Sequence, residues 1–313
     1  MSGLQNQGQS VLFTIKIKGE FTTMETHIKK LFGGIHLTWP KLMTAAVIAG
    51  IFTAVMALIP ALHDTSFHTI AVSFEVWILF GILIIMNSKS NLDSALKCFV
   101  FFLISQPLVY LIQVPFSPLG WQLFGYYQFW FIWTLLCFPM GFIGYFMKKD
   151  KWWGYLILLP MIALTASSFL NYFSEFQFSM PRYILIVLFC ACGMILYPVA
   201  IFHNKKVRIA GAAIGAAAVV FLTVFGLLHP PVYSMDFMGS NEEHQFDDSY
   251  TVYLADESYG DVSIRYEEAV EAYFVHGELK KAGNTVLTMV SPTGEKTEYE
   301  VHIERDTYEV KKK

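Results

Sequence analysis

The sequence predicts a membrane-embedded all-α bundle of seven transmembrane helices joined to a C-terminal all-β sandwich outside the cytoplasm. Three observations carry that prediction. Seven apolar runs, each near the ~20 residues that a bilayer requires, fill the middle of the chain. Basic residues fall almost wholly in alternate connections between those runs, as expected when one set of loops stays in the cytoplasm. After residue 229 the chain turns from apolar to acidic, and short alternating segments replace the long runs.

Composition sets the class. Of 313 residues, 55% are hydrophobic and 15% charged, whereas an average soluble domain has roughly 25% charged residues. The formal net charge of −3 conceals two solvents. Residues 1–229 hold 14 Lys/Arg and 7 Asp/Glu, while residues 230–313 hold 8 and 18. The first part is suited to lipid and its surfaces, the second to water. Cys98, Cys137, Cys190 and Cys192 all lie in or beside apolar runs. They read as small apolar packing residues, not as a disulfide framework or a zinc site.

In chain order, residues 1–40 form a cytoplasmic segment. Met24, Ile28, Leu31 and Ile35 recur at helical spacing beside Lys29 and Lys30, the pattern of a short helix lying on the inner membrane surface; an ordinary polar lead-in fits equally well. Met24 is also a candidate start. The transmembrane domain, 41–228, places its spans near 41–60, 68–87, 97–115, 127–147, 152–172, 182–202 and 208–228. The first lacks a positive leader with a small-residue cleavage site, so it reads as a retained helix. With the N-terminus inside, the inner segments hold 13 basic residues and the outer loops only Arg182. This gives an N-in, C-out chain, and the short loops without sequons suit a bacterial plasma membrane. "WQLFGYYQFWFIW" (121–133) is an aromatic belt for one interface. "GFIG" and "GAAIGAAA" offer small-residue faces for close helix contact within the chain.

A linker is expected over 229–248, opened by "HPPVY" and followed by the acidic "SNEEHQFDDS". The β domain, 249–313, carries strand patterns at 250–256, 260–266, 269–277, 284–291 and 296–304, the last two flanking the turn "PTGE". Short strands at this spacing suggest a sandwich. The segment "AGNTVLTMVSPTGEKTEYEVHIER" resembles the last hairpin of bacterial Ig-like extracellular modules. That likeness spans about 25 residues; it implies an Ig-like fold and no activity.

The candidate site begins at Glu75, a carboxylate inside "HTIAVSFEVWILFGILIIMN". A charge at mid-bilayer costs roughly 2.5–3.5 kcal/mol even on the lenient insertion scale. His68, seven residues earlier, shares its helix face. Gln106, Tyr110 and Gln113 form a polar stripe on the third span, and Ser167, Ser168 and Asn171 lie towards the outer end of the fifth. Together these residues predict an outer-leaflet polar pocket that binds a cation, a proton or a small polar ligand. The competing structural reading is interhelical glue, with Glu75 hydrogen-bonded to Gln106 or Gln113.

Other signals are weaker. "HDTSFH" offers His63, Asp64 and His68 as metal ligands, but exposed loop residues of these types are usually solvated, and no metal or cofactor is expected. "KKDK" and "NKKVR" read as cytoplasmic anchors, so no nucleic acid is expected as a partner. The zinc-protease His-Glu-x-x-His, the Gly-x-Ser-x-Gly elbow and the phosphate-binding Gly-rich loop are missing from the sequence. Three classes follow. The first binds or transports a small ligand or ion through the Glu75 pocket. The second is a scaffold or sensor whose β domain meets an extracellular protein partner. The third is an intramembrane lipid-modifying enzyme using Glu75 as base beside His68 or His63; the thin catalytic inventory weighs against it.

Overall fold

The structure is a computed structural model that describes residues 27–179, 181–241, 245–305 and 307–313. Met24 and the rest of residues 1–26 lie outside the described residues. Two compact units form: Met1–Ser168 with Leu188–Val220, and Phe169–Val187 with Phe221–Lys313.

The helices are α1 (Trp39–Leu58), α2 (Ser66–Val72), α3 (Phe74–Met86), α4 (Asn91–Gln113), α5 (Tyr127–Gly144), α6 (Trp152–Phe178), α7 (Ile184–Ile201) and α8 (Lys205–Leu228). Among the described residues, six helices are long and apolar enough to cross a membrane. The pair α2 and α3 passes the same test jointly and makes a seventh span if counted as one. The chain therefore has the make-up of a multi-pass membrane protein.

The second expected span is not one straight helix. α2 and α3 meet at a 48° bend, with Ser73 in extended conformation between them (φ −74°, ψ 154°). Serine offers the backbone an alternative to helical bonding, and Ser73 Oγ donates to the Ile70 carbonyl at 3.4 Å. Thr53 of α1 donates to the Ala71 carbonyl at 3.1 Å. Side chains thus meet part of the need of the carbonyls that the bend releases, as an apolar setting requires.

Small residues set the helix spacing in the first unit. A Cβ at Gly141 would lie 3.0 Å from the Ser94 carbonyl of α4, and one at Gly144 would lie 2.7 Å from Ile85 of α3. At Gly215 it would run into the Met194 carbonyl of α7. Both small-residue motifs therefore serve contacts inside the chain. The turn 27–31, which carries Ile28 and Leu31 of the expected surface helix, is tied to the end of α3 by Asn87. Asn87 Nδ2 donates to the Leu31 carbonyl at 2.8 Å, and Asn87 Oδ1 accepts from the Ile35 N–H at 2.7 Å.

The second unit contains two antiparallel sheets. Strands β1 (Tyr233–Gly239), β4 (Ala272–Leu279) and β3 (Gly260–Glu267) form one in the order β1-β4-β3. Strands β2 (Thr251–Leu254), β5 (Gly283–Val290), β6 (Lys296–Ile303) and β7 (Tyr308–Lys312) form the other in that order. Phe237, Val275 and Leu279 of the first sheet share one buried core with Leu254, Leu287, Val301 and Ile303 of the second.

The linker expected over 229–248 is corrected here: it contains β1. The acidic neighbourhood hides a period-two strand, in which Phe237 is buried while Ser234 and Asp236 are exposed. β7 was likewise not expected. A further difference concerns the helix ends. Phe178, the last residue of α6, is 2% exposed inside the β core. Its ring meets Tyr233 edge-on at 4.5 Å, and its carbonyl accepts from the Ala282 N–H at 2.8 Å. The helical stretches 169–178, 184–187 and 221–228 therefore group with the strands.

Candidate functional site

Glu75 is the second residue of α3, directly after the bend. It is 1% exposed, and its Oε2 has no hydrogen-bond partner. The position explains why a carboxylate is tolerated there. The first N–H groups of a helix lack intrahelical acceptors, and the helix dipole favours negative charge at that end. The bend thus creates a helix N-terminus within a span, and Glu75 occupies it. Cys190 and Tyr197 of α7, both buried, lie within electrostatic range of Glu75. They are seven residues apart and so share a helix face. That spacing was a readable signal, but Cys190 looked like packing alone, and the sixth expected span, 182–202, contributed nothing to the expected site.

The other expected site residues are distributed unevenly. Gln106 is 4% exposed, and its Nε2 has no partner. It lines a cavity of about 90 Å³ together with Phe74, Trp77, Trp130, Trp133 and Thr134. That space exceeds what a single water needs, and its walls are overwhelmingly apolar. Gln113 Nε2 is spent on the Val109 carbonyl of its own helix at 2.8 Å. Neither amide donates to Glu75, so the interhelical glue expected from Gln106 or Gln113 is not formed. Tyr110 packs its ring against Tyr127 at 6.3 Å. His68 meets the His63 ring edge-on at 5.0 Å, while Thr65 caps α2 by accepting from the His68 N–H. Ser168 is half-buried in the first unit, and Asn171 is exposed in the second. Glu75 and Gln106 are thus the two expected site residues that are both buried and left with an unused polar atom.

The second unit contains a contrasting carboxylate. Glu175 of α6 is 6% exposed. Its Oε1 accepts from Arg305 Nε at 3.0 Å and from the Tyr233 hydroxyl at 3.1 Å. Arg182, the lone basic residue in the loops assigned outside, pairs with Glu304 at 3.5 Å. Among the described residues no group of three His, Cys, Asp or Glu side chains is placed to hold a metal ion.

No protein-family model, no curated protein and no solved structure matches this chain.

Proposed function

We propose that this protein binds and exchanges a monovalent cation, the proton included, at Glu75 within its membrane domain. The observation that carries the reading is the Glu75 carboxylate itself, sealed from solvent with an oxygen that no donor meets. A buried carboxylate requires a compensating charge, and among the described residues no basic side chain supplies it in an ion pair. The break at Ser73 supports the assignment. In discontinuous membrane helices the carbonyls freed at the end of one half coordinate cations, while the N-terminus of the next half favours an anionic group. Here the carbonyls at the end of α2 and the carboxylate at the start of α3 meet at one bend. Gln106, with its unused amide, is a second polar group available beside the apolar cavity. In the N-in, C-out arrangement Glu75 lies nearer the outer face, which is where His68, Tyr110, Gln113 and Ser168 of the same unit would line an entry route.

The test is cation flux in proteoliposomes. Wild-type protein should release a preset gradient of protons or Na⁺ at a rate that Glu75→Gln lowers to that of empty vesicles. Equal rates for the two proteins would exclude Glu75 as an ion site.

A second reading has its own observation in favour. The ends of α6, α7 and α8 group with the strands, and Phe178 belongs to the β core. A protein partner binding the β domain outside the cell would act directly on those helix ends, as a sensor requires.

A further inference from the structure

The three-stranded sheet presents an arrangement unrelated to Glu75. Asp236 and His276 are directly opposite in the β1–β4 ladder, and Ser234 stands two residues before Asp236 on the same strand face. The three side chains are joined in order. Ser234 Oγ lies 3.0 Å from His276 Nε2, and His276 Nδ1 lies 2.8 Å from Asp236 Oδ1. We propose that Ser234, His276 and Asp236 form a nucleophile–base–orienting array that hydrolyses carboxylic esters at the membrane surface.

The chemistry rests on which nitrogen meets which oxygen. Asp236 accepts a hydrogen bond from Nδ1, which leaves Nε2 with its lone pair towards the serine hydroxyl. This is the tautomer a general base needs, and such arrays are recognised by geometry and roles, not by chain order. Ser234 is exposed and open to a substrate, the His276 side chain is only 11% exposed, and the Asp236 side chain is 54% exposed. β1 is an edge strand, and edge strands keep N–H groups that the sheet does not use; these are the donors available to an oxyanion. Ser234 follows the end of α8, Leu228, by six residues. At about 3.3–3.6 Å per residue, it lies within about 20 Å of that apolar helix. Esters embedded in a membrane surface are therefore the substrates within reach.

The reaction balances with water alone. Ser234 Oγ bonds to the ester carbonyl carbon while its proton passes to His276 Nε2. The C–O bond to the alcohol breaks, and the alcohol leaves with that proton. Water then attacks the acyl-serine, again giving a proton to Nε2. The proton returns to Oγ as the acid departs, so the net change is ester plus water to acid plus alcohol. Ser234 and His276 are the catalytic residues; Asp236 positions the imidazole.

The test is labelling of the full-length protein in detergent with a fluorophosphonate, which reacts with activated serines, read by mass spectrometry of the 233–239 peptide. Wild type should be modified at Ser234. The rate should fall on the order of a hundredfold or more in His276→Ala, the scale of general-base contributions. Asp236→Asn should lower the rate at saturating probe while leaving the concentration for half-saturation unchanged, and Asp236→Glu should restore part of it. Ser263→Ala, on the neighbouring strand opposite His276, should label like wild type and serves as the folding control. No modification of Ser234, or modification at an unchanged rate in His276→Ala, would overturn the proposal and leave the three residues as a cross-strand hydrogen-bond network.

Discussion

Glu75 and Glu175 are both withdrawn from solvent, at 1% and 6% exposure, yet their surroundings differ. Glu175 has a guanidinium and a phenol on one oxygen. Glu75 has a helix N-terminus behind it and, among the described residues, no ion pair. The difference teaches that burial alone does not mark a functional carboxylate. A buried charge whose partners are supplied by the fold contributes to structure, because removing a partner leaves the charge stranded. One without an ion pair at a helix break is where we propose that a cation binds. Glu175 belongs to the unit that the strands complete; Glu75 belongs to the unit in which a helix is interrupted.

The contrast can be broken first from the Glu175 side. Phe178→Ala empties the aromatic position one turn beyond Glu175, where the ring contacts Tyr233. Phe-to-Ala changes in cores cost about 3–5 kcal/mol, so limited proteolysis should cut the strands of the second unit far faster than in wild type. Arg305→Ala should come next. It strands a buried carboxylate, and a hydrogen bond to a charged group is worth about 1.5–3 kcal/mol. The loss should lie at the lower end because Arg305 is itself 47% exposed; thermal unfolding in detergent reads it. Tyr233→Phe removes a second donor to the same carboxylate, again at the lower end of about 1.5–3 kcal/mol because the bond is 3.1 Å long, and keeps the ring contact with Phe178. Glu75→Gln should not destabilise, because no hydrogen bond or ion pair is lost and a buried charge without an ion pair is removed. The same substitution should abolish cation flux. If Glu75→Gln destabilised as much as Arg305→Ala, the distinction between the two carboxylates would collapse.

Some of this was legible in the sequence. A carboxylate in an apolar run identifies Glu75 without a structure, and the small-residue motifs pointed to helix contacts that the fold then made. The bend was not legible. Around Ser73 the sequence reads "IAVSFEV", with no proline or glycine, and hydropathy averages straight across one serine. The partners of Glu175 were hidden for a different reason, since Arg305 lies at the far end of the chain and only the closed β core brings it near. β1 was lost to its acidic neighbours, and the Ser234–His276–Asp236 array was lost with it. Two residues at i, i+2 become chemistry only when the strand register sets a histidine opposite them, and here that histidine is 42 residues from Ser234. The second, third and fifth expected spans supplied the polar residues, but side-chain direction decided their use. Gln113 turns back to its own helix, and Asn171 is exposed in the second unit.

The most direct test of the central claim is carbodiimide modification of Glu75 in membranes, read by mass spectrometry. Carbodiimides enter apolar surroundings and react with carboxyl groups that exchange a proton there. Glu75 should be modified, Glu175 should be spared by its pairing with Arg305, and Na⁺, Li⁺ or K⁺ should slow the reaction at Glu75 if one of them is the bound ion. Modification that none of the three slows would identify the proton as the ion. An unmodified Glu75, or equal modification of both glutamates, would contradict the account.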